Sequence, residues 1–138
     1  MAQGNFAPTK ALWGYENQSA AVRIPRGPTV ARRIEHRVAG ADANPYLAFA
    51  AILGASLIGI KQSLTPTTPV RGNAHGVDAP DLPSQWPDAV SLFGMGPISN
   101  SVFHQAMVRA FIACKRQEIK TFNDRFSTFE YESYLDAV

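Results

Sequence analysis

Four charged residues in one region have the types and spacing to do chemistry together. Arg33, Glu35 and Arg37 occupy alternate positions in the segment Arg32-Arg33-Ile34-Glu35-His36-Arg37-Val38. In an extended chain successive side chains point to opposite sides, so these three share one face and Ile34, His36 and Val38 share the other. The upstream segment Ser19-Ala20-Ala21-Val22-Arg23-Ile24 alternates in the same way, with Arg23 on one face and Val22 and Ile24 on the other. A Pro25-Arg26-Gly27-Pro28 turn signal separates the two segments, which therefore read as an antiparallel pair that brings Arg23 beside the other three. Guanidinium groups around one carboxylate suit an anion site. Arginine grips phosphate or carboxylate by paired hydrogen bonds, and a carboxylate there can hold a divalent cation that bridges to phosphate. The competing reading of the same spacing is a solvated strand face, whose ion pairs contribute roughly 0–1 kcal/mol and need no function.

Other reactive residue types carry less. His36 lies on the Ile34/Val38 face and reads as a packed or interface histidine. His75 falls in a long connection and His104 near a helix start, and neither stands at ligand spacing from another metal-binding residue. Cys114 lies in an apolar helical stripe and is expected in the core. The sequence contains no Walker or dinucleotide glycine loop and no arguable Ser/His/Asp arrangement.

The elements that must position the four residues follow from local signals. Ala2 to Lys10 reads as an irregular loop and Trp13 to Pro25 as extended. A second extended segment spans Thr29 to Val38. Asn44-Pro45 is a helix start, because Asn caps free amides and Pro suits the first helical position. The helix is expected to run to about Leu64. It is apolar on nearly all sides, which predicts a place at the centre of a core. Thr65 to Pro83 holds four prolines and two glycines and reads as a long irregular connection. A short helix is expected over Asp81 to Leu92, ended by Gly94 and Gly96, and a longer one from about Asn100 to Phe126. Ser127 and Glu130 form a capping box for a final helix, with Phe126 and Tyr131 at the positions of a hydrophobic staple.

Composition narrows the classes. A length of 138 residues suits one compact domain, and no internal repeat or linker stands out. The net charge of +2 is too small for a nucleic-acid footprint. The longest uncharged apolar run, Tyr46 to Ile60, is shorter than the roughly 20 residues of a membrane span. The start of the chain shows no signal-peptide pattern, and a single cysteine fits a reducing, cytoplasmic setting. A charged fraction of only 17% fits an ordinary, mildly hydrophobic domain, and also a surface partly covered by a partner or by further chain.

Several stretches, in order and covering nearly the whole chain, resemble the C-terminal half of the glutamine synthetase catalytic domain. They are ENQSAAVRIP (Glu16 to Pro25), RRIEHRVAGADANPYLAFAAILGASLIGI (Arg32 to Ile60), PVRGNAH (Pro69 to His75) and KRQEIKTFNDRFSTFEYESYL (Lys115 to Leu135). The Arg-Ile-Glu-x-Arg segment followed by Asn-Pro-Tyr-Leu is the specific part. The resemblance implies an α+β fragment, with short antiparallel strands packed against several helices and residues 1–138 forming the C-terminal portion of such a domain. It implies an ATP-dependent ligase that joins glutamate to ammonia or an organic amine through γ-glutamyl phosphate, with Mg2+ or Mn2+.

By position, Glu35 resembles a ligand of that metal ion and Arg33 a nucleotide-phosphate contact. Arg37 resembles the residue that grips glutamate or the phosphorylated intermediate, and Arg23 an arginine near the transferred phosphoryl group. Two departures stand out. Gln18 follows Asn17 where the family usually has arginine, and Phe6 precedes Ala7-Pro8 where ammonia-using members carry a flap glutamate. Phe-Ala-Pro-Thr with a nearby Trp-Gly looks more like the branch that uses organic amines. The family's other metal ligands would lie before Met1. The chain is therefore expected to be inactive alone and to act as a homo-oligomer or with a missing N-terminal portion. The alternative is a non-catalytic binding or regulatory module derived from the same fold.

Overall fold

The computed structural model describes residues 6–135, so Ala2 to Asn5 of the expected N-terminal loop lie outside the described residues. Among the described residues the fold is α+β: a three-stranded sheet with strands of two or three residues, five α-helices and two short 3-10 helices. The chain divides into two compact units, Met1–Gln85 and Trp86–Val138.

In the first unit, β1 (Trp13–Tyr15), β2 (Val22–Ile24) and β3 (Glu35–His36) lie side by side in that order. β2 and β3 form the expected antiparallel pair, with Val22 opposite His36 and Arg23 opposite Glu35. The ladder extends one step further, since Arg37 donates its backbone N–H to Ala21 O at 2.9 Å. β1 runs parallel to β2, which local sequence signals do not announce. Parallel neighbours usually need a long crossover. Strands of three residues span only roughly 10 Å, and the link from Glu16 to Ala21 returns the chain with Glu16 in the left-handed region at φ 53°. The second extended segment is shorter than expected, because Thr29–Ala31 coil into one 3-10 turn before β3.

Leu12, Ala20, Ala21 and Ala74 form the buried apolar centre of this unit, and Asn17 is the buried polar residue among those described. The side chain of Asn17 ties the β1–β2 link to the long connection. Its Nδ2 donates to Val70 O (3.2 Å) and Gly72 O (2.9 Å), and its Oδ1 accepts from Ser19 N (3.0 Å) and Ser19 Oγ (2.7 Å). Ser19 Oγ in turn accepts from Ala74 N at 2.9 Å. Trp13 Nε1 donates to Thr67 O at 2.7 Å, pinning the same connection further back.

Helix α1 (Pro45–Lys61) starts where expected, with the Asn44 side chain accepting from the amides of Tyr46 and Leu47. It is not the centre of a core: none of its residues is buried, and Tyr46, Phe49, Leu53, Leu57 and Ile60 are all exposed. The face holding Ile34 and His36 is likewise exposed, which removes the packed alternative for His36 and leaves the interface one. Apolarity on all sides specifies that a helix is to be covered, and the described elements of this chain do not cover it.

The second unit contains α2 (Trp86–Met95), α3 (Pro97–Val102), α4 (Gln105–Asn123) and α5 (Thr128–Tyr134). α2 packs on α3 and α4 around Val90 and Val108, and the Phe93 ring meets Phe111 at 5.1 Å and Phe103 at 5.9 Å. The single helix expected from Asn100 to Phe126 is broken at Phe103–His104, because His104 Nδ1 caps α4 by accepting from Ala106 N at 3.2 Å. Cys114 is exposed, not in the core. The capping box of α5 is present in both directions: Ser127 N donates to Glu130 Oε2 at 2.8 Å, and Glu130 N to Ser127 Oγ at 3.1 Å. No helix among the described residues is long and apolar enough to cross a membrane.

Candidate functional site

Cross-strand pairing sets the geometry of the charged face. Arg23 and Glu35 are register partners, so their side chains leave the sheet on one side. Arg23 Nη1 donates to Glu35 Oε2 at 2.8 Å. Arg33 grips the other oxygen, with Nη2 at 3.0 Å and Nε at 3.2 Å from Oε1. Arg23 continues to a second carboxylate, Nη2 lying 3.2 Å from Glu16 Oε2. The structure thus joins Arg33, Glu35, Arg23 and Glu16 in one chain of charge-assisted hydrogen bonds. Glu16 is the member that strand alternation missed, since it lies outside the strands in its left-handed conformation. A carboxylate directly after a strand end, seven residues before Arg23, was the available signal.

Arg37 stands apart from this chain. Its Nη2 donates to the carbonyl of Phe6 at 3.1 Å. Ladder alternation places it on the Glu35 side, but Glu35 is bonded by two guanidinium groups and not by the three that the spacing suggested. The Nε atoms of Arg23 and Arg37 are both buried without a hydrogen-bond partner. Such donors usually find an acceptor, and neither of these two has one among the described residues.

The electrostatics favour the charged forms of Glu35, Glu16 and Arg23. Burial pushes the Glu35 carboxyl up, and the hydrogen bonds and charges of Arg23 and Arg33 more than reverse this, leaving it below the ordinary carboxylate value. Glu16 is also lowered, chiefly because its carboxylate accepts the backbone N–H of Arg26. Arg23 is raised, first by its hydrogen bond to Glu35, and stays protonated. The Arg23 and Glu35 side chains are 19% and 27% exposed and hold each other in place, whereas Arg33 at 56% presents its guanidinium to solvent.

As a metal site the face is partial. Glu35 offers one carboxylate, both of whose oxygens already accept hydrogen bonds, and the described residues contain no group of three or more His, Cys, Asp or Glu placed to hold an ion. These residues fit the anionic end of a ligand better than they fit a bare cation. Glu35 would supply one ligand to an ion whose other ligands come from elsewhere.

Two open cavities flank Tyr15. One, about 490 Å³, is lined by Phe6, Tyr15, Glu16, Asn17, Gln18 and His75, among others. The other, about 450 Å³, is lined by Tyr15, Arg26, Pro69, Val70 and Arg71. The first bears a carboxylate and the second two guanidinium groups. Neither Arg71 nor the part of Glu16 in this arrangement was legible from strand periodicity.

Comparison with known proteins bears on the family. The family model of the glutamine synthetase catalytic domain matches residues 1–134. Gamma-glutamylputrescine synthetase of Escherichia coli is 35% identical over 132 residues, which are 96% of this chain and 28% of that protein. Glutamate–isopropylamine ligase of a Pseudomonas species is 32% identical over 140 residues, 99% of this chain and 30% of that protein. Glutamine synthetase of Sulfolobus acidocaldarius is 32% identical over 149 residues, 99% of this chain and 32% of that protein. The solved structure of apo GmaS without ligand superposes with a TM-score of 0.79 at 30% identity, covering 96% of this chain and 31% of that one. The chain therefore spans less than a third of the length of these relatives. Motif order, family match and backbone likeness agree, and the chain belongs to the family of the glutamine synthetase catalytic domain.

Proposed function

We propose that this chain carries part of the active site of an ATP-dependent ligase that joins glutamate to an organic amine or to ammonia. The observation that carries the reading is the Arg23–Glu35–Arg33 cluster, formed across the β2–β3 pair on a chain of this family. In the proposed reaction the terminal phosphoryl group of ATP passes to the glutamate side-chain carboxylate, giving ADP and γ-glutamyl phosphate. The neutral amine nitrogen then bonds the acyl carbon, the carbon–oxygen bond to phosphate breaks, and the products are the γ-glutamyl amide, inorganic phosphate and a proton passed to solvent water. Such transfer depends on positioning and charge neutralisation, and it needs no protein nucleophile.

In this reading Arg33 holds a nucleotide phosphate with the part of its guanidinium that faces solvent. Arg23, fixed between two carboxylates, directs charge at the transferred group. Arg37 grips glutamate or its phosphorylated form. Glu35 would supply one ligand to a Mg2+ or Mn2+ ion, whose charge would neutralise developing negative charge on the phosphates. Phe6, in place of a flap glutamate, favours an organic amine over ammonia as the acceptor, as do the names of the relatives from Escherichia coli and Pseudomonas. We place the protein in the cytoplasm and expect it to complete its site with a further portion of chain or another copy.

A second reading, a non-catalytic module of the same fold, draws support from Gln18 and from the engagement of both Glu35 oxygens. Calorimetric titration with MgATP separates ligand binding from inertness. The ligase reading expects saturable binding that weakens when excess EDTA removes the cation, and no heat of binding would count against it. With ATP, glutamate, an amine and magnesium, the polypeptide alone is expected to release no phosphate, and sustained turnover would contradict the single-ligand account.

A further inference from the structure

Arg26 and Arg71 are the charged residues of the cavity of about 450 Å³, which Tyr15, Pro69 and Val70 complete. No carboxylate lines it, and Arg23, Arg33, Glu35 and Arg37 are not among its lining residues. Elsewhere in the chain Lys10, Arg23, Arg33, Lys115 and Lys120 each pair with a carboxylate. The guanidinium groups of Arg26 and Arg71 have no hydrogen bond or ion pair among the described residues. Glu16 is the acidic group that Arg26 feels, and it bonds the Arg26 backbone amide, not the side chain.

The two arginines come from distant parts of the chain, and the backbone beside each is fixed. Arg26 lies just beyond β2, with its amide donating to Glu16 Oε1. Arg71 stands between two anchored residues. Val70 N donates to Trp13 O at 2.9 Å, and Asn17 Nδ2 donates to Val70 O at 3.2 Å and Gly72 O at 2.9 Å. Gly72 takes φ 76°, a left-handed conformation that glycine adopts without steric cost, so the chain can turn directly after Arg71. The rest of the wall is apolar in character. Pro69 and Val70 are half-buried, and the exposed Tyr15 ring meets Trp13 at 5.4 Å with 67° between the planes, which orients it.

We infer that this cavity binds a small organic phosphomonoester, with its phosphate between Arg26 and Arg71 and its hydrocarbon body on Tyr15, Pro69 and Val70. The chemistry fits each lining. A phosphomonoester carries a charge of about −1.5 to −2 at pH 7 and three strong acceptor oxygens. Guanidinium groups match such oxygens by paired, charge-assisted hydrogen bonds. The cavity volume falls within the roughly 300–1,000 Å³ of small-molecule sites. Because the backbone on both sides is already fixed, binding must order little beyond two exposed arginine side chains. The site needs neither a metal ion nor a reaction, so it stands independently of the ligase reading.

The test is a nitrogen-15 NMR titration of the full chain with phenyl phosphate at constant ionic strength, with inorganic phosphate, succinate and phenol as comparison ligands. Saturable shifts are expected at the side-chain Nε groups of Arg26 and Arg71 and at the amides of Tyr15 and Gly72. Inorganic phosphate is expected to move the same groups with weaker affinity, and phenol to move none of them. Arg26→Gln and Arg71→Gln are each expected to weaken phenyl phosphate binding by about tenfold, as for loss of a hydrogen bond to a charged group. Both side chains are exposed and Arg26→Gln keeps the amide that holds Glu16, and either variant decides the matter if the other does not fold. Absence of shifts, shifts centred on Arg33 and Glu35 instead, or an equal response to phenol would overturn the inference. So would succinate or inorganic phosphate binding as tightly as phenyl phosphate, or undiminished binding by either glutamine variant.

Discussion

Replacing Asn17 with alanine tests how the site is held together. The substitution deletes four hydrogen bonds: two donated to the carbonyls of Val70 and Gly72, and two accepted from the amide and hydroxyl of Ser19. A net contribution of about 0.5–1.5 kcal/mol per bond gives an additive range of about 2–6 kcal/mol. The four bonds share partners and the site is partly reachable by water, so a loss of about 2–3 kcal/mol is expected. For a unit of this size that corresponds to a fall in Tm of roughly 10 °C or more. Urea denaturation followed by tryptophan fluorescence is the assay, since Trp13 hydrogen-bonds the same connection at Thr67. Asn17→Asp sharpens it. That variant keeps both acceptor bonds to Ser19 and turns an oxygen toward the carbonyls of Val70 and Gly72, so it is expected to be no more stable than Asn17→Ala. A midpoint within error of the parent for either variant would refute the hub.

Two further outcomes follow from packing and charge. Gly14→Ala would place a methyl group 2.5 Å from Val70 O, a backbone atom that cannot swing aside, and is expected to cost about 1–3 kcal/mol in the same denaturation assay. Glu16, Glu35 and Glu130 each ionise below their ordinary value of 4.5 in the folded chain, so folding favours their charged forms. Their stabilisation is complete above that unfolded value and is lost as pH falls through the lowered folded values. The urea midpoint is therefore expected to hold down to about pH 5 and then decline, with a shallower decline in Glu35→Gln.

Much of the local architecture was legible because its signals are local. Alternation around the Pro25–Pro28 turn announces the β2–β3 pair and the meeting of Arg23 with Glu35. Asn44-Pro45 and Ser127/Glu130 announce two helix starts that form as read. What escaped depends on residues distant in sequence. The parallel seating of β1 is secured by Asn17 and Trp13 reaching more than fifty residues ahead, to Val70, Gly72 and Thr67. The exposure of α1 and Cys114 depends on what neighbours are present, and helical periodicity carries no information about that. The break before α4 turns on a histidine ring acting as an N-cap, a task usually given to Ser, Thr, Asp or Asn. Within the candidate site, alternation found Arg23, Arg33 and Glu35 but placed Arg37 on the same carboxylate, whereas the structure gives it the Phe6 carbonyl. Glu16 was hidden by its left-handed backbone, which no strand pattern encodes.

The central claim is that the guanidinium–carboxylate cluster on the β2–β3 pair holds the charged end of a nucleotide with its cation. Phosphorus-31 NMR of MgATP titrated with the parent chain, Arg33→Ala and Glu35→Gln tests it most directly. The account predicts that the β- and γ-phosphate resonances shift on adding the parent chain, that Arg33→Ala weakens this at least tenfold, and that Glu35→Gln selectively removes the magnesium dependence. Phosphate resonances that respond equally to all three proteins, or to none, would contradict it.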